Sequence, residues 1–272
     1  MTYGLPKSIP EAKFLPEGKI KEIIKSIYKT YVYLTNPIKV ERHTLAKGIY
    51  EYSLNGLKLL FGEDEYTELF YPLRGYIRFC SIKEGDIVVD GGAFNGVFSV
   101  YAGKIVGEKG KVYAFEPNPR NMENLDRNLR LNNLNNVVIV KEGLWNKKTT
   151  LSISNEESLS SVFSKSNDRI EIEVTSLDYF AQKNNIKGID FIKMDIEGAE
   201  IQALEGAEEV LEKLNPFIAV ASYHVVNGKK TYKEVEDRLR AAGYKAWTAS
   251  IYHPTTYAKK RKRQDAGNHC SD

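Results

Sequence analysis

A glycine-rich loop follows a short apolar segment near the middle of the chain. The segment is VVDGGAFNG, from Val88 to Gly96, and its pattern predicts a strand that runs into a loop and then into a helix. Glycines allow a ligand to approach backbone N–H groups closely. A dinucleotide-binding loop needs the spacing G-x-G-x-x-G, but the middle position counted from Gly91 is Ala93, and the lysine of a phosphate-binding P-loop is missing. Both interpretations as a nucleotide-phosphate site are therefore weakened.

Acidic residues end two successive predicted strands. Asp90 ends the first, where its carboxylate would repel a pyrophosphate but would suit a cationic amine. Glu116 ends the second, 24 residues after Gly92, a distance at which an acidic side chain accepts hydrogen bonds from both ribose hydroxyls. Together the two acids describe an adenosine ligand with a positive tail and no phosphate. S-adenosylmethionine is such a ligand.

Two more acids and a histidine follow the fourth and fifth predicted strands. Asp195 and Glu197 are placed where a general base or an acceptor-binding carboxylate would lie, and His224 is the other candidate base. The same three residues offer oxygen and nitrogen ligands to a divalent cation that would hold and acidify an acceptor hydroxyl. Structural roles are also open: a helix cap for Asp195, a solvated first-turn acid for Glu197 and a surface histidine for His224. The sequence does not decide between the base and the cation.

The strands that must position these residues are short and apolar, and they alternate with amphipathic stretches from Asp86 onward. This is the pattern of a parallel sheet covered by helices, so we predict a doubly wound α/β fold. The predicted central strands are Ile87–Val89, Val112–Phe115, Val137–Val140, Phe191–Met194 and Phe217–Val220.

Three helices are predicted between these strands. The first has Asn118 as its N-cap and Pro119 at its first position, and it ends near Asn132. The other two run over about residues 199–214 and from the capping box at Thr231 to Gly243.

The chain is predicted to divide into three parts. Residues 1–80 form an N-terminal extension, residues 81–257 form the ligand-binding domain, and residues 258–272 form a basic, disordered tail. The predicted elements outside the main sheet are a helix over Gly18–Leu34, a hairpin of Tyr50–Leu54 and Leu57–Phe61 turned at Asn55-Gly56, and a serine-rich flap, Ser158–Ser166, between the strands Thr149–Ser154 and Ile170–Val174.

Three stretches of the chain resemble those of class I S-adenosylmethionine-dependent methyltransferases, and specifically those of the FkbM family. They are VVDGGAFNGVFS, with the spacing D-x-G-x-x-x-G, then GKVYAFEPNPRNMENLDRNLRLNN, and then IDFIKMDIEGAEIQALEGA, with its D-x-E-G-A-E core. The resemblance covers about Gly85 to Ile251. The chain departs from the family in having Gly91 and Phe94 where members often have a small apolar residue and an asparagine.

The resemblance implies a Rossmann-like, mostly parallel sheet of seven strands with one antiparallel edge strand. It also implies that S-adenosylmethionine binds at the carboxyl ends of the strands and that the methyl group goes to a hydroxyl oxygen of a sugar or natural product. Asp195, Glu197 and Gly198 match the motif after the fourth strand. The predicted cofactor-binding residues are Asp90, Gly91, Gly92, Ala93, Phe94, Asn95, Gly96, Ser99, Glu116, Pro117, Asn118 and Asp195, with Glu142, Gly143 and Leu144 as candidates for the adenine pocket.

Composition and charge limit the class of partner. The 272 residues are 42% hydrophobic and 28% charged, which is typical of a soluble globular protein. No run reaches the roughly 18 to 20 apolar residues of a membrane span, and no signal pattern is present, so we expect a cytoplasmic protein. Residues 1–258 are neutral, and the net charge of +3 arises in the tail, where the basic run Lys259 to Arg263 outweighs Asp265 and Asp272. The neutral body argues against a nucleic acid as the main partner. Cys80 and Cys270 are predicted to be reduced thiols.

The sequence therefore predicts an S-adenosylmethionine-dependent O-methyltransferase that acts on a small molecule or glycan. One alternative is a methyltransferase acting on a macromolecule, such as a protein, a lipid-linked glycan or RNA, which the N-terminal extension and the basic tail motivate. The other is a binding scaffold without catalysis, which would be expected to lack the acids at the cofactor site. The acceptor and the oligomeric state are not specified.

Overall fold

The computed structural model describes residues 40–46, 48–70, 72–154, 169–250 and 253–260. The strands are β1 Val40–Ala46, β2 Ile49–Leu54, β3 Leu57–Phe61, β4 Ile87–Gly91, β5 Lys111–Phe115, β6 Val137–Val140, β7 Gly143–Leu144, β8 Thr149–Ser154, β9 Arg169–Thr175, β10 Phe191–Met194, β11 Phe217–Ala221, β12 Val225–Val226, β13 Lys229–Lys230, β14 Tyr244–Ser250 and β15 Pro254–Lys260. The helices are α1 Tyr66–Phe70, α2 Pro72–Tyr76, α3 Val97–Val106, α4 Pro119–Leu131, α5 Leu177–Lys183, α6 Glu200–Glu205, α7 Glu208–Lys213 and α8 Tyr232–Ala241.

A seven-stranded sheet forms the centre of the structure, with the strand order β14-β15-β11-β10-β4-β5-β6. The five strands predicted from apolar runs are β4, β5, β6, β10 and β11, and all of them pair in parallel. The expected class of fold, an α/β sheet of seven strands, is therefore confirmed.

The antiparallel strand is not at the edge of the sheet, and that prediction is wrong. β15 runs antiparallel to both of its neighbours, β11 and β14, so it lies second from the edge. Tyr257 and Ala258 near its centre are fully buried, which a strand with neighbours on both sides achieves more readily than an edge strand. Residues 258–260, which the sequence assigns to the polar tail, are part of this strand.

Apolar side chains on the two faces of the sheet form two separate cores. In β10, Phe191 belongs to one core and Ile192 to the other, because successive strand residues point to opposite faces. On the first face Phe98 of α3 packs against Phe191, with ring centroids 5.9 Å apart. Burial on both faces explains why the central strands read as continuous apolar runs.

The helix after β5 begins and ends as predicted. The side chain of Asn118 accepts a hydrogen bond from the N–H of Arg120, and Pro119 occupies the first turn. In contrast, the Thr231 side chain makes no capping hydrogen bond at the start of α8. The capping box predicted there is therefore wrong, although the helix itself is present.

The helix predicted over 199–214 is divided into α6 and α7. The break lies at Gly206 and Ala207. A Cβ atom at Gly206 would lie 2.2 Å from the carbonyl oxygen of Trp145, so another segment of backbone packs directly against this position. The apolar periodicity of residues 199–214 gives no information about that contact, because Trp145 belongs to another segment of the chain.

The predicted hairpin is formed by β2 and β3. Its turn residues Asn55 and Gly56 have φ values of 53° and 86°, as a type I′ turn requires. β1 pairs with β2 as a third strand that the sequence did not reveal, and its side chains are mostly exposed. Asn128 and Asn132 of α4 accept hydrogen bonds from the backbone N–H groups of Gly62 and of β3, which joins this small sheet to the main domain.

A second small sheet has the order β7-β9-β8 and includes both strands predicted beside the flap. The flap itself at Ser158–Ser166, the predicted helix Gly18–Leu34 and the tail after Lys260 lie outside the described residues.

Cys80 is disulfide-bonded, so the prediction of a reduced thiol is wrong for that residue. Among the described residues, no helix combines the length and the apolar character needed to cross a membrane.

Candidate functional site

A cavity of about 290 Å³ opens at the carboxyl ends of β4, β5 and β10. These ends are adjacent because the three strands are parallel and neighbouring in the sheet. The sequence-predicted residues that line it are Gly92, Ala93, Phe94, Asn95, Glu116, Pro117, Gly143, Leu144, Asp195 and Glu197.

Seven predicted residues do not line the cavity. Gly96 packs against Leu125 of α4, where a Cβ atom would lie 2.4 Å from a methyl carbon. Asn118 caps α4, and Glu142 pairs with Lys148, 3.1 Å away. The remaining residues of this group are Asp90, Gly91, Ser99 and His224.

The glycine loop is in direct contact with the loop that follows β10. Gly92 has a φ of +74°, and a Cβ atom on it would lie 1.8 Å from the carbonyl oxygen of Asp195. The N–H of Asp195 in turn donates to the carbonyl of Gly91 at 3.0 Å. Only glycine fits at position 92, because the backbone of the loop after β10 packs directly against it. The glycine loop and the loop after β10, which both border the cavity, are therefore in contact.

Glu116 is buried at the end of β5, and its carboxylate is oriented by three donors. The N–H of Phe94 donates to Oε2 at 2.8 Å, while the N–H of Asn118 and the side chain of Asn121 donate to Oε1 at 3.0 and 3.1 Å. Burial raises the pKa of this carboxyl, against the effect of these hydrogen bonds and of Lys193. A carboxylate has about four acceptor sites, so a further donor from a ligand can be accepted.

Asp90 lies beneath the cavity and is fully buried. Its Oδ1 is 2.9 Å from the ammonium of Lys193, and its Oδ2 accepts a hydrogen bond of 2.6 Å from Ser99. Lys193 also donates to the carbonyls of Gly92 and Gly91, at 2.7 and 3.3 Å. The carboxylate that we expected to face a cationic amine of a ligand is thus paired within the protein.

The Lys193 ammonium remains charged despite its burial. Burial alone would lower the pKa of this group, but the carboxylates of Asp90 and Asp195 outweigh it and raise the pKa. The ammonium therefore neutralises Asp90, and the resulting ion pair lies at the floor of the cavity.

Asp195, which also lines the cavity, is held by two tyrosines. Tyr76 of α2 donates to Oδ2 at 2.7 Å, and Tyr223, just after β11, donates to Oδ1 at 3.4 Å. Burial and the nearby carboxylate raise the pKa of both phenols. They stay protonated and act as donors, so Asp195 is oriented rather than free to rotate.

Glu197 follows in an uncommon conformation. Its φ is 54°, in the left-handed region that residues other than glycine rarely occupy. Burial, followed by repulsion from Asp195, raises the pKa of its carboxyl to about 7. Such a group exchanges protons near neutral pH, as a general base must.

His224 lies between three carboxylates. Its Nδ1 is 2.9 Å from Oε1 of Glu200, and its Nε2 is 3.4 Å from Oδ1 of Asp195 and 3.5 Å from Oε2 of Glu197. Burial would lower the pKa of the ring, but Glu200 and the other two acids raise it to about 9. Without a ligand the ring is protonated at pH 7, which disfavours its predicted role as a base.

Asn95 reaches the N-terminal part of the chain. Its side-chain amide donates to Glu65, and its carbonyl accepts from Asn128 of α4 at 2.8 Å. Both Asn95 and Glu65 are buried. Burial raises the pKa of Glu65 to about 7, in spite of the hydrogen bond from Asn95.

Five residues of the site are not among the predicted site residues: Lys193, Tyr76, Tyr223, Glu200 and His253. The sequence does indicate Lys193, because a lysine within an apolar strand needs a buried counter-charge. In the structure Asp90 is its direct partner in the register of β4 and β10. Tyr76 and His253 line the cavity but come from segments far from every motif, so no local pattern indicates them.

Comparison with known proteins gives one family. A family model described as the methyltransferase FkbM domain matches residues 90–246, more than half of the chain. Methyltransferase 1 of Beauveria bassiana (strain ARSEF 2860) is 22% identical over 151 residues, which are 46% of this chain and 60% of that protein.

A solved structure has a similar fold. The crystal structure of Methyltransferase FkbM from Methylobacillus flagellatus KT aligns with a TM-score of 0.53 and 20% identity, over 68% of this chain and 47% of that one. The chain thus spans less than two thirds of either relative's length, and the structural likeness shows the fold alone.

Removing one member of the buried Lys193–Asp90 pair is expected to destabilise the fold more than removing both charges. Lys193→Met leaves a buried carboxylate without its counter-charge and should lower the free energy of unfolding by about 3–5 kcal/mol. The double variant with Asp90→Asn should lose less than this single variant. Urea unfolding followed by circular dichroism measures both, with the exposed Lys213→Met as a control that loses nothing measurable. A double variant less stable than Lys193→Met would contradict the pairing.

Glu65→Gln is expected to make stability less dependent on pH. The pKa of Glu65 is raised on folding from 4.5 to about 7, so its contribution is fully present below pH 4.5 and is lost as the pH rises through 7. The shift corresponds to about 3 kcal/mol at most. The glutamine keeps the oxygen that accepts from Asn95, so the variant should match the wild type at pH 4 and exceed it at pH 8. A variant that is equally or less stable at pH 8 in urea unfolding would refute this.

Proposed function

This chain belongs to the FkbM methyltransferase domain family, and from that premise we propose that it transfers the methyl group of S-adenosylmethionine to a hydroxyl oxygen of a sugar, glycan or other small molecule. The observation that carries this proposal is that one cavity joins the Glu116 carboxylate to the Asp195 and Glu197 carboxylates. A cofactor-binding acid and an acceptor-binding pair thereby face the same space.

The residues at the first end fit an adenosine. Glu116 has acceptor capacity beyond its three protein donors, which suits a ribose hydroxyl. Pro117, Gly143 and Leu144 supply apolar surface beside it, which suits the flat face of an adenine. When bound, the cofactor supplies an electrophilic methyl group on a sulfonium.

The residues at the second end fit a hydroxyl acceptor. Transfer forms a bond between the hydroxyl oxygen and the methyl carbon while the carbon–sulfur bond breaks, and the hydroxyl proton must leave. Asp195, oriented by Tyr76, and Glu197, whose pKa is about 7, are the groups placed to bind that hydroxyl and to promote loss of its proton. Positioning the oxygen in line with the breaking bond supplies much of the rate.

The class of acceptor is suggested by the same end of the cavity. The aromatic rings of Tyr76, Tyr223 and His253 lie beside the two carboxylates. Sugars are commonly bound by aromatic faces, which pack on their C–H groups, together with carboxylates, which accept from their hydroxyls. This combination supports a sugar or another polyhydroxylated molecule over RNA, for which a basic surface would be expected.

S-adenosylmethionine is expected to bind the full chain at one site, and Glu116→Ala should weaken that binding at least tenfold. The reason is the loss of a charge-assisted hydrogen bond to the ribose, about 1.5–3 kcal/mol. Titration calorimetry measures the affinity, and Glu123→Ala, on an exposed position of α4, serves as a control that should not change it. Absence of binding to the wild type, or equal affinity in Glu116→Ala, would overturn the assignment.

Asp195→Asn is expected to bind the cofactor normally and to lose turnover by roughly a hundredfold or more. The amide keeps the size of the side chain but cannot promote loss of the hydroxyl proton. Transfer of a tritiated methyl group is measured onto a panel of sugars, glycans and hydroxylated small molecules, with RNA and protein included. Asp126→Asn, on the surface of α4, is the control. Undiminished turnover in Asp195→Asn, or transfer to RNA or protein alone, would contradict the proposal.

A further inference from the structure

The imidazole of His224 is enclosed near the acceptor end but is not hydrogen-bonded there. Its side chain is only 8% exposed, and within the described part of the chain its Nε2 has no hydrogen-bond partner. The nearest acceptors are Oδ1 of Asp195 at 3.4 Å and Oε2 of Glu197 at 3.5 Å. Hydrogen bonds between nitrogen and oxygen are usually 2.7–3.2 Å long, so these two contacts are ion-pair distances rather than close hydrogen bonds.

The two separations from Nε2 match those between neighbouring ligands of one metal ion. Nitrogen and oxygen ligands lie about 2.0–2.2 Å from Zn²⁺, so two of them at a tetrahedral angle are about 3.3–3.6 Å apart. At the right angles of an octahedral site the separation would be about 3.0 Å. The potential ligand atoms of Asp195, Glu197 and His224 all lie within 4.8 Å of one another. Three protein ligands with a fourth position left open is the arrangement of catalytic zinc sites.

The side chains that contact these three residues are placed to orient them as metal ligands. Tyr76 donates to Oδ2 of Asp195 at 2.7 Å, while Oδ1 lies toward His224 and also accepts a hydrogen bond of 3.4 Å from Tyr223. Glu200, fully buried, lies 2.9 Å from Nδ1 and fixes the ring with Nε2 toward the two acids. A carboxylate behind a histidine is the usual way in which proteins orient a metal-binding imidazole.

We propose that Asp195, Glu197 and His224 bind a divalent transition-metal ion whose open fourth position faces the cavity and binds the acceptor hydroxyl. Asp195 and Glu197 line the cavity, so an ion between them is within reach of a substrate there. A bound ion would act as a Lewis acid: it would lower the pKa of the acceptor hydroxyl, whose proton would pass to water as the oxygen bonds to the methyl carbon and the carbon–sulfur bond breaks. This inference rests on the proposed function and replaces direct proton removal by the two carboxylates.

The test uses the full chain, freed of metal with a chelator and then dialysed against Zn²⁺. We expect one ion per chain at micromolar zinc, and at least tenfold weaker binding in Glu197→Gln, a partly exposed position where the substitution keeps the side chain's size. Glu209→Gln, in an exposed pair with Lys213, is the matched control and should bind zinc as the wild type does. Co²⁺ in place of zinc should give the intense visible absorption of a tetrahedral site.

The outcomes of these measurements decide whether the three residues bind a metal ion. Failure to retain an ion, unchanged affinity in Glu197→Gln, or only the weak absorption of six-coordinate Co²⁺ would overturn the metal site. Calorimetry with S-adenosylmethionine on the chelated protein separates this inference from the function on which it rests. If the chelated protein binds the cofactor and transfers methyl groups at the full rate, the proposed function stands and the metal site is refuted. If zinc binds at the three residues but the cofactor does not, the metal site stands and the proposed function fails.

Discussion

The buried ion pair between Lys193 and Asp90 is the interaction on which the rest of the site depends. A single charge at this depth would be costly, but here each charged group is paired and hydrogen-bonded. Asp90 belongs to β4, Lys193 to β10 and Ser99 to α3, so one network joins the two central strands to the helix behind the glycine loop. Because Lys193 also binds the carbonyls of Gly91 and Gly92, the backbone of that loop is fixed by the protein itself.

A steric constraint connects this network to the acceptor end. The carbonyl oxygen of Asp195 occupies the space where any side chain at Gly92 would lie. The glycine loop and the acidic loop after β10 are therefore in direct contact where they border the cavity. The proposed methyl transfer needs this proximity, because the reacting atoms must approach to about 3–3.5 Å in line.

The acceptor end is completed by residues outside the matched family domain. Tyr76 comes from α2, before that domain, and His253 precedes β15, after it. Glu65, which accepts a hydrogen bond from Asn95, also lies before it. The cofactor end, by contrast, is built from the strand ends and loops within the domain. We expect the choice of acceptor to be set largely by the flanking parts, and cofactor binding by the family's own motifs.

The sequence by itself determined the parallel strands, helix α4, the hairpin turn at Asn55-Gly56 and the acids at the strand ends. Each of these depends on local patterns: apolar runs, a cap followed by proline, or a residue at the end of a strand. Only the tertiary structure decided that β15 lies inside the sheet, that the helix after β10 breaks at Gly206 and that Asp90 pairs with Lys193. Those features arise from contacts between residues far apart in the chain, as Lys193 with Asp90 or Tyr76 with Asp195, and the periodicity of one segment carries no information about what packs against it.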